Sequence, residues 1–250
     1  TYLDGRAVEK TSLKLDHLDL QSESAAAPMT VGVGGAYNDL VFKADGRLGP
    51  IKTLIDGGAP YPVTLTMSVP GLSLDVEGAI AEPRQGRGLD FKVSVDGGDI
   101  AAVAKAAGVT LPKIPPVRVS GRLKDPKGGY SIDNLVATIG DIDLRGRVGV
   151  KLAGVARPSL DADITTASTI DLDALLPKQK KPAPAPKDRV FPDDPLPLDG
   201  LKAVDAKVKL AVKRVVQNAI AVDDIKLSLS LSSGRLDVKS LKAVVNGGTV

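Results

Sequence analysis

Ile225, Leu227, Leu229 and Leu231 alternate with Lys226, Ser228 and Ser230, so an extended chain here has one aliphatic face and one polar face. This two-residue period constrains the fold more than any other feature, because it recurs along most of the chain. It appears at Val63/Leu65/Met67/Val69, Leu72/Leu74/Val76, Leu89/Phe91/Val93/Val95, Leu144/Val148/Val150 and Val208/Leu210/Val212. The runs are bounded by Gly, Pro, Asn or Asp, as in "PGLS", "PRQGRG", "DPKGGY" and "SSGR". Many short alternating strands separated by such turns predict a mainly β, antiparallel sheet rather than βαβ units.

Each strand must lay its aliphatic face on something. Aromatic residues make up 3% of the chain, with no Trp, three Phe and four Tyr, so Val, Leu, Ile and Ala supply nearly all the apolar area. Burial of such side chains yields roughly 1.5–3 kcal/mol each, enough for a stable core. Two architectures satisfy the pattern. In a β-sandwich the inner faces cover each other. In a single curved sheet the inner face is an apolar groove covered by a ligand, namely lipid acyl chains.

Helical signal is brief. "GGDIAAVAKAAGV" offers Asp99 as an N-cap and Gly108 as a stop, while "STIDLDALLP" and "LPLDGLKAVDA" read as single turns or short helices. A strand–turn–strand–short-helix module is used twice, with Gly78 matching Gly146, Leu89 matching Leu160 and Asp99 matching Asp171. From Pro177 to Pro197 the alternation collapses into a window with seven prolines, which reads as a linker or long surface loop.

Machinery for chemistry is thin. His17 is the single histidine and occupies a polar position of "LKLDHLDL"; with no Cys, the usual zinc sites and Ser-His-Asp or Cys-His arrangements are excluded. Ser73 in "GLSLD" lacks the second glycine of a nucleophile elbow, and "VGVGGAY" is not followed by Lys-Ser/Thr. Asp141/Asp143, Asp161/Asp163 and Asp171/Asp173 each share a strand face, the pattern of a solvated surface rather than of a calcium loop. The net charge of +3 is spread along strands without a basic block, which argues against nucleic acid as a partner. The expectation is a non-enzymatic protein without cofactor or metal.

Two segments resemble the AsmA family of bacterial envelope proteins, relatives of the bridge-like lipid transfer proteins. Gly121–Pro177 carries a "Y-x-I-x-N-L" strand, then "L-x-G-x-V", "RPSLDADI" (similar to the family's "RPxLxAxL") and "DLDxLLP"; Phe191–Val250 carries a "PLPLDxL" opening followed by paired alternating strands and a "GG" turn. The resemblance implies an elongated β-groove with an apolar interior, in a periplasmic body held to the inner membrane by an anchor outside this segment. It also implies a part in phospholipid transport and outer-membrane homeostasis. The chain opens and stops inside strand-like patterns, as a segment of a longer protein would.

Alternation and resemblance together divide the chain into a repeated β-strand body (1–176), a Pro-rich linker or surface loop (177–198) and the start of a C-terminal AsmA-like β domain (199–250). They make Val63, Leu65, Met67, Leu72, Leu74, Val76, Phe91, Val93, Leu144, Val148, Val208, Leu210, Val212, Ile225, Leu227, Leu229 and Leu231 the candidate groove residues. The expected partner is a phospholipid or other membrane lipid. The alternative function is a structural or assembly factor for outer-membrane biogenesis, acting through envelope protein partners.

Overall fold

The computed structural model describes residues 12–38, 40–98, 100, 103–104, 115–172, 204–217, 220–245 and 248–249. Of the helix expected from Asp99, Ile100, Val103 and Ala104 are described and helical; the rest of it, most of "DLDALLP" and the Pro-rich segment 177–198 lie outside the described residues. The chain forms two compact units that divide between Asp141 and Ile142, inside the segment expected to be a single body.

The first unit is a meander of eight strands: β1 (Leu13–Gln21), β2 (Met29–Tyr37), β3 (Leu40–Leu48), β4 (Tyr61–Val69), β5 (Leu72–Glu82), β6 (Arg87–Gly97), β7 (Val117–Lys124) and β8 (Gly129–Ile139). Each pairs antiparallel with the next. Turn chemistry explains the tight connections. Pro70 and Gly71, the latter at φ 85°, form the two-residue link between the Val69/Leu72 pair.

A short helix, α1 (Ile51–Asp56), lies between β3 and β4. It starts after Pro50 and stops at Gly57, which has φ 71°. Sequence periodicity did not anticipate it, since six residues are too few to show a helical repeat.

The second unit holds β9 (Ile142–Lys151), β10 (Ser159–Asp171), β11 (Asp205–Gln217), β12 (Ile220–Ser232), β13 (Arg235–Val245) and the two-residue β14 (Gly248–Thr249). Ser168–Asp171, read from sequence as part of a helical turn, continue β10 as strand. The expected uniform antiparallel order is corrected at one place: β10 and β11 run parallel, from Ser159 opposite Asp205 to Asp171 opposite Val216. Parallel neighbours require a long connection, which the residues between Asp171 and Asp205 provide. The other pairs are antiparallel. Ser233 and Gly234, at φ 55° and 80°, make the tight turn from β12 to β13.

Within each unit the strands form one hydrogen-bonded layer in chain order, an open sheet. This separates both units from the β-sandwich alternative. Burial agrees: Phe91, Val212 and Leu231 are buried at 8%, 4% and 7% exposure, yet among the described residues no large side chain is fully enclosed. Neighbouring side chains on one face shelter one another without a second layer above them.

Candidate functional site: an uncharged apolar face

Strand register turns the alternation into rows that cross each unit. In the first unit one row reads Leu20–Val31–Gly46–Leu65–Val76–Val93–Gly121. The next reads Leu18–Val33–Ala44–Met67–Leu74–Val95–Val119–Ala137, and a third Met29–Leu48–Val63–Gly78–Phe91–Leu123–Ile132. Directly opposed residues share a face, so Val63, Leu65, Met67, Leu72, Leu74, Val76, Phe91 and Val93 all lie on one side.

The second unit repeats the arrangement. Its rows are Val150–Leu160–Ala206–Leu231–Leu236, Val148–Ala162–Val208–Leu229–Val238 and Gly146–Ile164–Leu210–Leu227–Leu241, followed by Thr166–Val212–Ile225. Leu144 joins that face by its two-residue spacing from Gly146. Every candidate groove residue is thus grouped with the others of its own unit on one face. Among the described residues these rows contain no charged side chain.

Three places where the sequence loses phase would have sent charges onto this face. In "LKLDHLDL" the slip at Asp16/His17 is absorbed by a bulge between Leu15 and His17, so Leu13 and Leu15 stay with Leu18 and Leu20. In "YSIDNL" a bulge coincides with Asn134 at φ 51°, and in "VDDIK" another coincides with Asp224 at φ 49°. Asn and Asp tolerate the left-handed region better than other non-glycine residues. Their positions inside broken alternations were the available signal for these bulges.

The opposite face is polar. Thr64–Glu77–Lys92–Arg122 and Thr66–Asp75–Ser94–Ser120 run beside each other in the first unit. Between them lies a shallow concavity of about 620 Å³, floored by Leu65, Val76 and Val93, so this hollow is not the apolar track. Ion pairs knit the face: Arg122 with Asp90, Arg118 with Asp96 at 2.8 Å and Arg147 with Asp161 at 3.2 Å. The hydrogen bonds from Arg122 hold the Asp90 carboxyl below its usual range, and those from Lys213 do the same for Asp224. His17 lies on the polar face, its ring over Gly34. Of the Asp pairs, Asp161 is held by Arg147, Asp163 lies opposite Arg147 in register, and Asp173 is outside the described residues.

The apolar side chains are most exposed on the outer strands. Leu236, Val238 and Leu241 of β13 are 55%, 60% and 54% exposed. An aliphatic strip of that exposure, unbroken by charge, can shelter alkyl chains and offers no group for acid–base or nucleophilic chemistry.

Over 239 residues the chain is 24% identical to the AsmA family protein YhjG of Escherichia coli (strain K12), covering 86% of this chain and 35% of that protein. This match supports membership of the AsmA family. The chain thus spans about a third of the length of that AsmA relative, whose name states a family and no activity. No family model matches the chain, and no solved structure does. Of the AsmA-like motifs read from sequence, the described parts fall on β7 to β10 and on β11 to β14, "PLPLDxL" and most of "DLDxLLP" lie outside the described residues, and the Asn of "Y-x-I-x-N-L" is the bulge residue Asn134. No helix among the described residues is long and apolar enough to cross a membrane.

Proposed function

We propose that this chain is a non-enzymatic lipid-binding segment of an envelope protein, shielding phospholipid acyl chains along the apolar faces of its sheets. The observation that carries the reading is that, among the described residues, the named crossing rows of both units hold no charged side chain. Each methylene sheltered from water is worth roughly 0.8 kcal/mol, so such a face lowers the cost of holding a lipid in an aqueous compartment. Headgroups remain at the margin, within reach of Lys and Arg from the polar side. In this reading the segment works in the periplasm, as part of a longer protein anchored in the inner membrane, and supports phospholipid transport to the outer membrane.

Native mass spectrometry of the purified chain, paired with lipid analysis of its organic extract, tests the reading. Phospholipid present in about stoichiometric amount is the expected result. A stably folded, lipid-free chain that captures envelope proteins by crosslinking would instead make it an assembly factor.

A further inference from the structure

Tyr61 opens β4 on the apolar face of the first unit, at the head of the register row Tyr61–Ile80–Leu89. It is 5% exposed, and its buried hydroxyl has no hydrogen-bond partner among the described residues. A buried hydroxyl left unpaired forfeits its hydrogen bonds to water without replacing them. Burial also pushes the Tyr61 hydroxyl above its ordinary pKa, so it stays a proton donor throughout the physiological range. Rings recur on this face at Phe42, Phe91 and the 38%-exposed Tyr37, but Tyr61 carries a hydroxyl that is buried, at one end of the strands.

Beside Tyr61, the Gly49 N–H donates to the Pro62 carbonyl at 2.8 Å, and the Lys52 N–H of α1 donates to the Ala25 carbonyl at 2.8 Å. Gly49 lies against the ring so closely that a Cβ there would come within 2.8 Å of Cδ2 and Cε2. Gly49 and Pro50 lead directly into α1, which buries none of its residues and has no side-chain hydrogen bond at its N-cap. Ile51, Leu54 and Ile55 of α1 are 39%, 38% and 67% exposed, so their packing contributes little to holding the helix in place.

We infer that Tyr61 is the hydrogen-bond donor for the polar end of a bound lipid, the acyl chains lying along the rows of β3 to β6 and an acceptor oxygen meeting the hydroxyl. The inference rests on the lipid-binding reading above. The acceptor is an ester carbonyl or a phosphate oxygen, either of which takes a phenolic O–H in the same way. Reaching the hydroxyl requires the groups that bury it to shift.

The test compares the full chain with its Tyr61→Phe variant. Dioleoyl phosphatidylglycerol and its diether analogue are each titrated by native mass spectrometry, with thermal midpoints measured alongside. The expected result is roughly three- to tenfold weaker binding by the variant, with a thermal midpoint equal to or above that of the parent. Weakening confined to the diester assigns the contact to the carbonyl, and weakening with both assigns it to the phosphate. Equal binding of both lipids by the two proteins overturns the inference, as does a lowered thermal midpoint, which would mean the hydroxyl has a structural partner. A parent chain that binds neither lipid removes the underlying reading instead.

Discussion

Gly78 stands directly opposite Phe91, and a Cβ on Gly78 would fall 2.0 Å from the Asp90 carbonyl oxygen and 2.8 Å from the Phe91 ring. Gly146 repeats the geometry in the second unit, where a Cβ would lie 1.9 Å from the Asp163 carbonyl oxygen opposite. These glycines, matched in the sequence repeat, let the next strand approach closely and let a large side chain lie over the gap.

Gly78→Ala is therefore expected to destabilise the chain by about 1–3 kcal/mol, through displaced backbone and a lifted Phe91 ring. Gly98→Ala is the control, since a Cβ there meets nothing within 4 Å. Thermal unfolding of the two variants checks this. Equal midpoints would show that the sheet has slack at Gly78.

In the second unit, Arg157 donates to the Ser233 hydroxyl at 2.7 Å and lies 3.6 Å from Asp205, whose carboxylate also accepts from the Ser233 N–H at 2.9 Å. The cluster ties the turn after β12 to the head of β11, where the parallel pairing with β10 begins. Arg157→Ala should cost about 0.5–1.5 kcal/mol and speed amide exchange at the start of β11 before it does so elsewhere. Hydrogen exchange that changes equally throughout the unit would argue against a local clamp.

The Asp90 carboxyl, depressed by its hydrogen bonds from Arg122, gives a pH dependence of definite sign. Its stabilising contribution is present above the ordinary carboxylate value of 3.8 and is lost as pH falls below it through the folded-state pKa. In Arg122→Gln that contribution is missing at every pH, so the gap between the two proteins should close in acid. Carboxyl titration by NMR should find Asp90 below 3.8 in the parent and higher in the variant. An unchanged Asp90 titration would contradict the pairing.

Much of this was legible from residue order. Alternation marked the strands, and Leu65, Val76 and Val93, read from three separate runs, proved to stand in one row. The bulges at Asp16/His17, Asn134 and Asp224 were harder to read, because a phase slip looks like the end of a strand until a partner strand shows it continuing. The parallel partnership of Asp161 with Lys207 joins positions across the Pro-rich window, where local periodicity carries no information about pairing. Tyr61 escaped notice for a different reason: a hydroxyl's lack of a partner exists only in three dimensions.

Leu229 sits between Val208 and Val238 in an uninterrupted apolar row. Leu229→Asp places a charge there, and it should reduce phospholipid co-purification to roughly a tenth or less while the chain stays folded and soluble. Circular dichroism and phosphate analysis of the purified variant decide it. Undiminished phospholipid in a folded variant would mean that this face does not hold the chains.

The most direct measurement is a photocrosslinking scan along β12, with a benzophenone amino acid placed in turn at 227, 228, 229 and 230 in cells and the adducts identified by mass spectrometry. The account predicts lipid adducts at Leu227 and Leu229 and none at Ser228 and Ser230, because adjacent positions point to opposite faces. Adducts at all four positions, or at the serines alone, would contradict it.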